Sequence, residues 1–73
     1  MKEVAIRDDY ITLGQFLKLA DCIPTGGAAK GYLAEKTVLV NGEPESRRGR
    51  KLRPGDRVEV EGCGRFSIVR TEG

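Results

Sequence analysis

Histidine and tryptophan are absent from this 73-residue chain, methionine occurs once, and the aromatic rings are two tyrosines and two phenylalanines. Without histidine the commonest general base near neutral pH is missing. No serine has a histidine partner, and no phosphate loop of the Gly-x-x-x-x-Gly-Lys type occurs. The two cysteines, Cys22 and Cys63, are too few for a structural zinc site. They read as two small buried thiols rather than a disulfide, because nothing in the sequence marks an oxidising compartment. No apolar run approaches the roughly 20 residues of a membrane span, and Met1-Lys2-Glu3-Val4 has no signal-peptide core. The expectation is a cytoplasmic, non-catalytic protein without a cofactor, a metal or a membrane partner. At this length, residues 1–73 make a single domain with one small core.

What is present is positive charge in one place. The formal net charge is only +2. Residues 1–46 carry five basic and seven acidic side chains, and residues 58–73 carry two basic and three acidic ones. Residues 47–57 hold Arg47, Arg48, Arg50, Lys51, Arg53 and Arg57 against Asp56 alone, a local net of +5. Such a block repels itself unless it is solvated or meets an anion. Five of the six are arginines, whose planar fork suits phosphate oxygens. A solvated loop protecting a sheet edge is the plainer alternative.

The apolar periods divide the chain in two. Thr12-Leu13-Gly14-Gln15 reads as a capping box, and Leu13, Phe16, Leu17 and Ala20 form one helical face that runs on toward Pro24. Asp8-Asp9 precede this helix and favour its N-terminal end. A second helix is capped by Thr25 and repeats the pattern through Ala29, Tyr32 and Leu33. From residue 38 the period becomes two. Val38-Leu39-Val40 is a strand, Asn41-Gly42 a hairpin turn, Glu43-Pro44-Glu45 an edge, and Pro54-Gly55-Asp56 a type II turn. Val58–Glu61 and Phe66–Val69 are strands, and Val4–Ile6 is a short first one. The class is α+β: two short N-terminal helices packed on a small, mostly antiparallel sheet.

One constellation in the helical half also suits an anion. Thr25 caps a helix start whose first residues, Gly26 and Gly27, expose bare amides to a close-approaching phosphate. Lys30 lies one turn further on the same stripe, and Gln15 and Lys18 share the polar side of the first helix. The same glycines would equally allow two helices to pack closely. Phe16, Tyr32 and Phe66 occupy core positions, which leaves Tyr10 as the one exposed ring. One ring is too few for a platform that stacks the bases of a single strand.

Together, Val38-Leu39-Val40-Asn41-Gly42 and Leu52-Arg53-Pro54-Gly55-Asp56-Arg57-Val58, behind two helices, resemble the S4 RNA-binding domain over residues 12–61. Gly26-Gly27-Ala28-Ala29-Lys30 and Arg47-Arg48-Gly49-Arg50-Lys51-Leu52 are similar to the small free-standing bacterial S4-like proteins of the YaaA and YbcJ type. The resemblance implies helices packed on a curved sheet and binding of structured RNA, either ribosomal RNA or a ribosome assembly particle. Many S4 domains open the second helix with Ser-Arg. Here Thr25 and Gly26 stand there, so that arginine contact is not carried over, while the basic position at Lys30 is. The expected RNA-binding set is thus Gln15, Lys18, Thr25, Gly26, Gly27, Lys30, Arg47, Arg48, Arg50, Lys51 and Arg53, on a monomer.

Two other classes remain open from the sequence. An adaptor would turn the basic patch to an acidic protein. A β-grasp sulfur carrier shares the Val-Asn-Gly and Pro-Gly-Asp-Arg-Val signals, but is activated at a terminal Gly-Gly where this chain has Glu72-Gly73.

Overall fold

In the computed structural model, which describes residues 1–71, the two periods separate into two layers. Strand β1 (Lys2–Ile6) and the short β2 (Ile11–Thr12) precede helix α1 (Leu13–Leu19). A 3-10 turn (Gly26–Ala28) runs into helix α2 (Ala29–Glu35). Strands β3 (Val38–Val40), β4 (Glu43–Pro44), β5 (Lys51–Leu52), β6 (Arg57–Val60) and β7 (Gly64–Arg70) follow. The main sheet has the order β1-β7-β6-β3-β4, and β2 and β5 form a separate antiparallel pair. Within the main sheet only β1 and β7 run parallel, with Val4 opposite Ile68.

Alternation puts Val38, Val40, Val58, Val60, Phe66 and Ile68 on one buried face. Leu13, Phe16, Leu17, Ala29 and Leu33 of the helices close over it. At the centre Phe16 meets Phe66 edge to face, with ring centroids 5.3 Å apart. Among the described residues no helix is long and apolar enough to cross a membrane.

The S4-like signature segments touch each other. Asn41 and Gly42 both have positive φ (52° and 84°), the condition for a tight hairpin between β3 and β4. The Asn41 side chain then reaches across to the second segment. Its Nδ2 donates to Asp56 Oδ1 at 3.1 Å, and its Oδ1 accepts the Arg57 amide at 2.9 Å. Asp56 Oδ2 accepts the Arg53 amide at 2.8 Å, which closes the turn around Gly55 (φ 98°).

Three expectations need correction. Helix α1 ends well before Pro24. Asp21 adopts a left-handed conformation (φ 62°), while the amides of Asp21 and Cys22 turn back to the carbonyls of Lys18 and Leu17. That is a Schellman ending, with aspartate where glycine is usual. Asp9 does not serve α1, whose first turn holds no acidic residue; it pairs with Arg70 at 3.1 Å and ties the β1–β2 link to β7. Cys22 and Cys63 are not two separate thiols. The early end of α1 brings Cys22 over the β6–β7 turn, and the two half-buried residues form a disulfide with Cα atoms 5.7 Å apart.

Candidate nucleic-acid interface

The basic segment is a shaped loop whose backbone is bound to the start of α1. Thr12 caps that helix as the sequence indicates: its hydroxyl accepts the Gln15 amide, and Gln15 Oε1 accepts the Thr12 amide. Capping does not satisfy every free amide in a first turn. Here the Leu13 amide donates to the Arg50 carbonyl at 2.8 Å, and the Gly14 amide to the Arg48 carbonyl at 2.9 Å. A Cβ at Gly14 would lie 3.5 Å from the Ala29 Cβ, the Arg48 Cβ and the Arg48 carbonyl oxygen, so alanine would fit in ordinary contact while a larger branched side chain would push the loop away.

Two clefts result, one on each side of Gly49. The first, about 390 Å³, is lined by Thr12, Gly14, Gln15, Lys18, Gly26, Arg48 and Gly49. The second, about 640 Å³, is lined by Arg47, Gly49, Arg50, Lys51, Arg53 and Asp56. The fold therefore gathers Gln15, Lys18, Gly26 and Arg48 from three separate parts of the chain. With its Oε1 committed to the cap, Gln15 offers the cleft only its Nε2 donor. Asp56, the acidic side chain in the second cleft, has both oxygens occupied by Asn41 and the Arg53 amide.

Other expected members lie apart. Thr25, Gly27 and Lys30 are exposed on the 3-10 turn and the first turn of α2, outside the lining of either cleft. Thr25 makes no side-chain capping bond. The helix start imagined at Gly26 is a 3-10 turn in which Ala28 donates to the Thr25 carbonyl and Ala29 to the Gly26 carbonyl.

The charges of the loop are unequal. Arg47 and Arg50 both pair with Glu45, each at 3.0 Å. The Glu45 side chain is only 8% exposed, and donation from the Arg47 side chain, more than any other influence, lowers its pKa from 4.5 to about 2. The same contact raises the Arg47 pKa. Lys18, Arg48, Lys51 and Arg53 form no ion pair among the described residues. Lys51 instead holds its Nζ 4.8 Å from the centre of the Tyr10 ring, a cation–π contact that shields one face of that exposed ring. Sequence reasoning missed Glu45, taking it for part of an edge strand. A carboxylate two residues before the first of a run of arginines was the available signal.

A family model described as S4 domain matches residues 4–69. The chain is also 61% identical over 66 residues to a protein of Bacillus subtilis (strain 168) named "Probable ribosome maturation protein RlbA". That match covers 90% of this chain and 93% of the relative.

Proposed function

Since the chain belongs to the S4 domain family, we propose that it binds structured RNA through the phosphate backbone, on ribosomal RNA or a ribosome assembly intermediate. The observation that carries this reading is the convergence of Gln15, Lys18, Gly26 and Arg48 in one cleft beside the arginine-lined second cleft. Lys18, Arg48 and the Gln15 amide take one phosphate. Lys51, Arg53 and the outer edges of Arg47 and Arg50 follow the adjoining backbone. Contacts of this kind position a protein without reading base sequence. They suit RNA recognised by shape, because side chains do not read the deep major groove of an A-form helix. The name of the Bacillus subtilis relative supports a ribosomal setting, and a cytoplasmic location follows from that setting.

With one of six cations offset by Glu45, about five phosphates are neutralised. Log affinity for RNA then falls with log salt at a slope of roughly −3.5 to −4.5. The deciding experiment is crosslinking in cells with sequencing of the bound RNA. It compares the wild type with a variant carrying Lys18→Ala, Arg48→Ala, Lys51→Ala and Arg53→Ala, none of which breaks an ion pair among the described residues. Discrete ribosomal RNA positions, enriched in the wild type and lost in the variant, are expected. Absence of enrichment in the wild type overturns the reading.

A further inference from the structure

Glu45 is a carboxylate in the middle of a cationic surface, and it is nearly closed off from solvent. Its amide continues the sheet by donating to the Val38 carbonyl at 2.9 Å. Its Oε2 accepts from the amides of Ser46 and Arg47, at 3.1 and 3.0 Å, and from Arg47 Nε at 3.0 Å. Its Oε1 accepts from Arg47 Nη2 at 3.1 Å and from Arg50 Nη1 at 3.0 Å. A further turn bond, from the Arg50 amide to the Arg47 carbonyl at 3.2 Å, closes the loop around Arg48 and Gly49. The carbonyls of Arg48 and Arg50 then receive the first amides of α1. A continuous path therefore runs from strand β3 through Glu45 and the arginine turn to the first helix, and Glu45 is the joint that holds the turn to the sheet.

We propose that Glu45 is a positioning residue for RNA: it pre-forms the Arg47 and Arg50 forks so that their outward edges meet the phosphate backbone already ordered. This rests on the RNA-binding reading and deepens it. Each guanidinium has five N–H donors. Glu45 takes two from Arg47 and one from Arg50, and the Lys51 carbonyl takes another from Arg50 at 3.4 Å. Donors remain on both forks, and the Arg47 side chain is 75% exposed. Held this way, neither side chain has to lose its rotamer freedom when RNA arrives. The carboxylate is ionised at any physiological pH, so protonation does not release the two arginines.

The sign of the effect makes the proposal testable. A negative charge within a Debye length of bound phosphate opposes binding. On charge alone, removing it tightens RNA. If Glu45 positions the arginines, removing it loosens RNA despite the added net positive charge. The experiment measures binding to ribosomal RNA stripped of protein, across a salt series, for the wild type, Glu45→Gln and Glu43→Gln, with thermal unfolding of each. The exposed Glu43 makes no ion pair among the described residues and is the charge control. Glu45→Gln is expected to weaken binding about fivefold to tenfold, the loss from two unfixed side chains, with Glu43→Gln equal to the wild type or tighter. A second variant, Arg47→Lys with Arg50→Lys, keeps the charge but not the fork geometry and is expected to lose a similar factor. It stands in if Glu45→Gln fails to fold. Glu45→Gln binding as tightly as the wild type or tighter, or the double lysine variant binding as the wild type does, overturns the role of Glu45 and leaves RNA binding intact. A wild type that does not bind ribosomal RNA overturns the RNA-binding reading itself, and the role of Glu45 with it.

Discussion

At the Glu61–Cys63 turn the polar and sulfur groups satisfy one another, whereas at the Arg47–Arg53 loop one carboxylate faces several cations and most of the charge is left over. The first region fastens the helices to the sheet. Tyr32 Oη donates to the Glu61 carbonyl at 3.0 Å, the Glu61 carboxylate accepts the Thr37 amide at 2.7 Å, and Cys63 is bonded to Cys22. The second region is also well ordered through its backbone, yet Lys18, Arg48, Lys51 and Arg53 form no ion pair among the described residues. Both regions are structured. Only the second is structured around an excess of one sign.

The comparison can be tested by loosening each region in turn. The largest effect belongs to the disulfide. It spans 41 positions, so replacing both cysteines by serine removes about 4 kcal/mol of stability in the chain-entropy account. Chemical unfolding with and without reductant measures this, and an equal loss on reduction of the wild type is expected. Asn41→Ala comes next. It gives up two side-chain hydrogen bonds and places alanine at a positive φ, at a cost of about 2 kcal/mol. An unchanged unfolding midpoint would show that the two signature segments do not depend on this residue. The smallest effect is acid titration at Glu45. Its pKa is lowered on folding, so its contribution is complete above about pH 4.5 and is lost as the pH falls through about 2. Following the carboxyl carbon by NMR is expected to show a midpoint near the lower value.

Local chemistry was legible in the sequence, and long-range geometry was not. The Thr12–Gln15 capping box, the Asn41-Gly42 hairpin and the Gly55 turn all depend on residues within four positions of each other, and all three occur. The buried faces followed from period alone: Phe16, Leu17, Val58 and Phe66 are in the core. The cysteine pairing was hidden because it depends on where α1 stops and on the register of β6 against β7. The Gly26–Ala28 segment misled because a 3-10 turn commonly opens an α-helix and carries no sequence signal distinct from a helical first turn. At the candidate site the cations were visible by composition. The carboxylate that arranges two of them was not, because its effect exists only once the loop has closed around it.

Strand β1 has one neighbour in the main sheet, and that neighbour is β7, so Lys2 waits for Phe66, sixty-four positions further along the chain. During synthesis the helices and the β3–β4 hairpin can form from nearby residues, while the edge of β1 stays unpaired. Contacts so distant in sequence are slow to close. The last described strand thus completes the sheet and covers an edge that would otherwise invite pairing with another chain. Loss of β7 would release β1 as well, so damage near one end of the domain would be felt at the other.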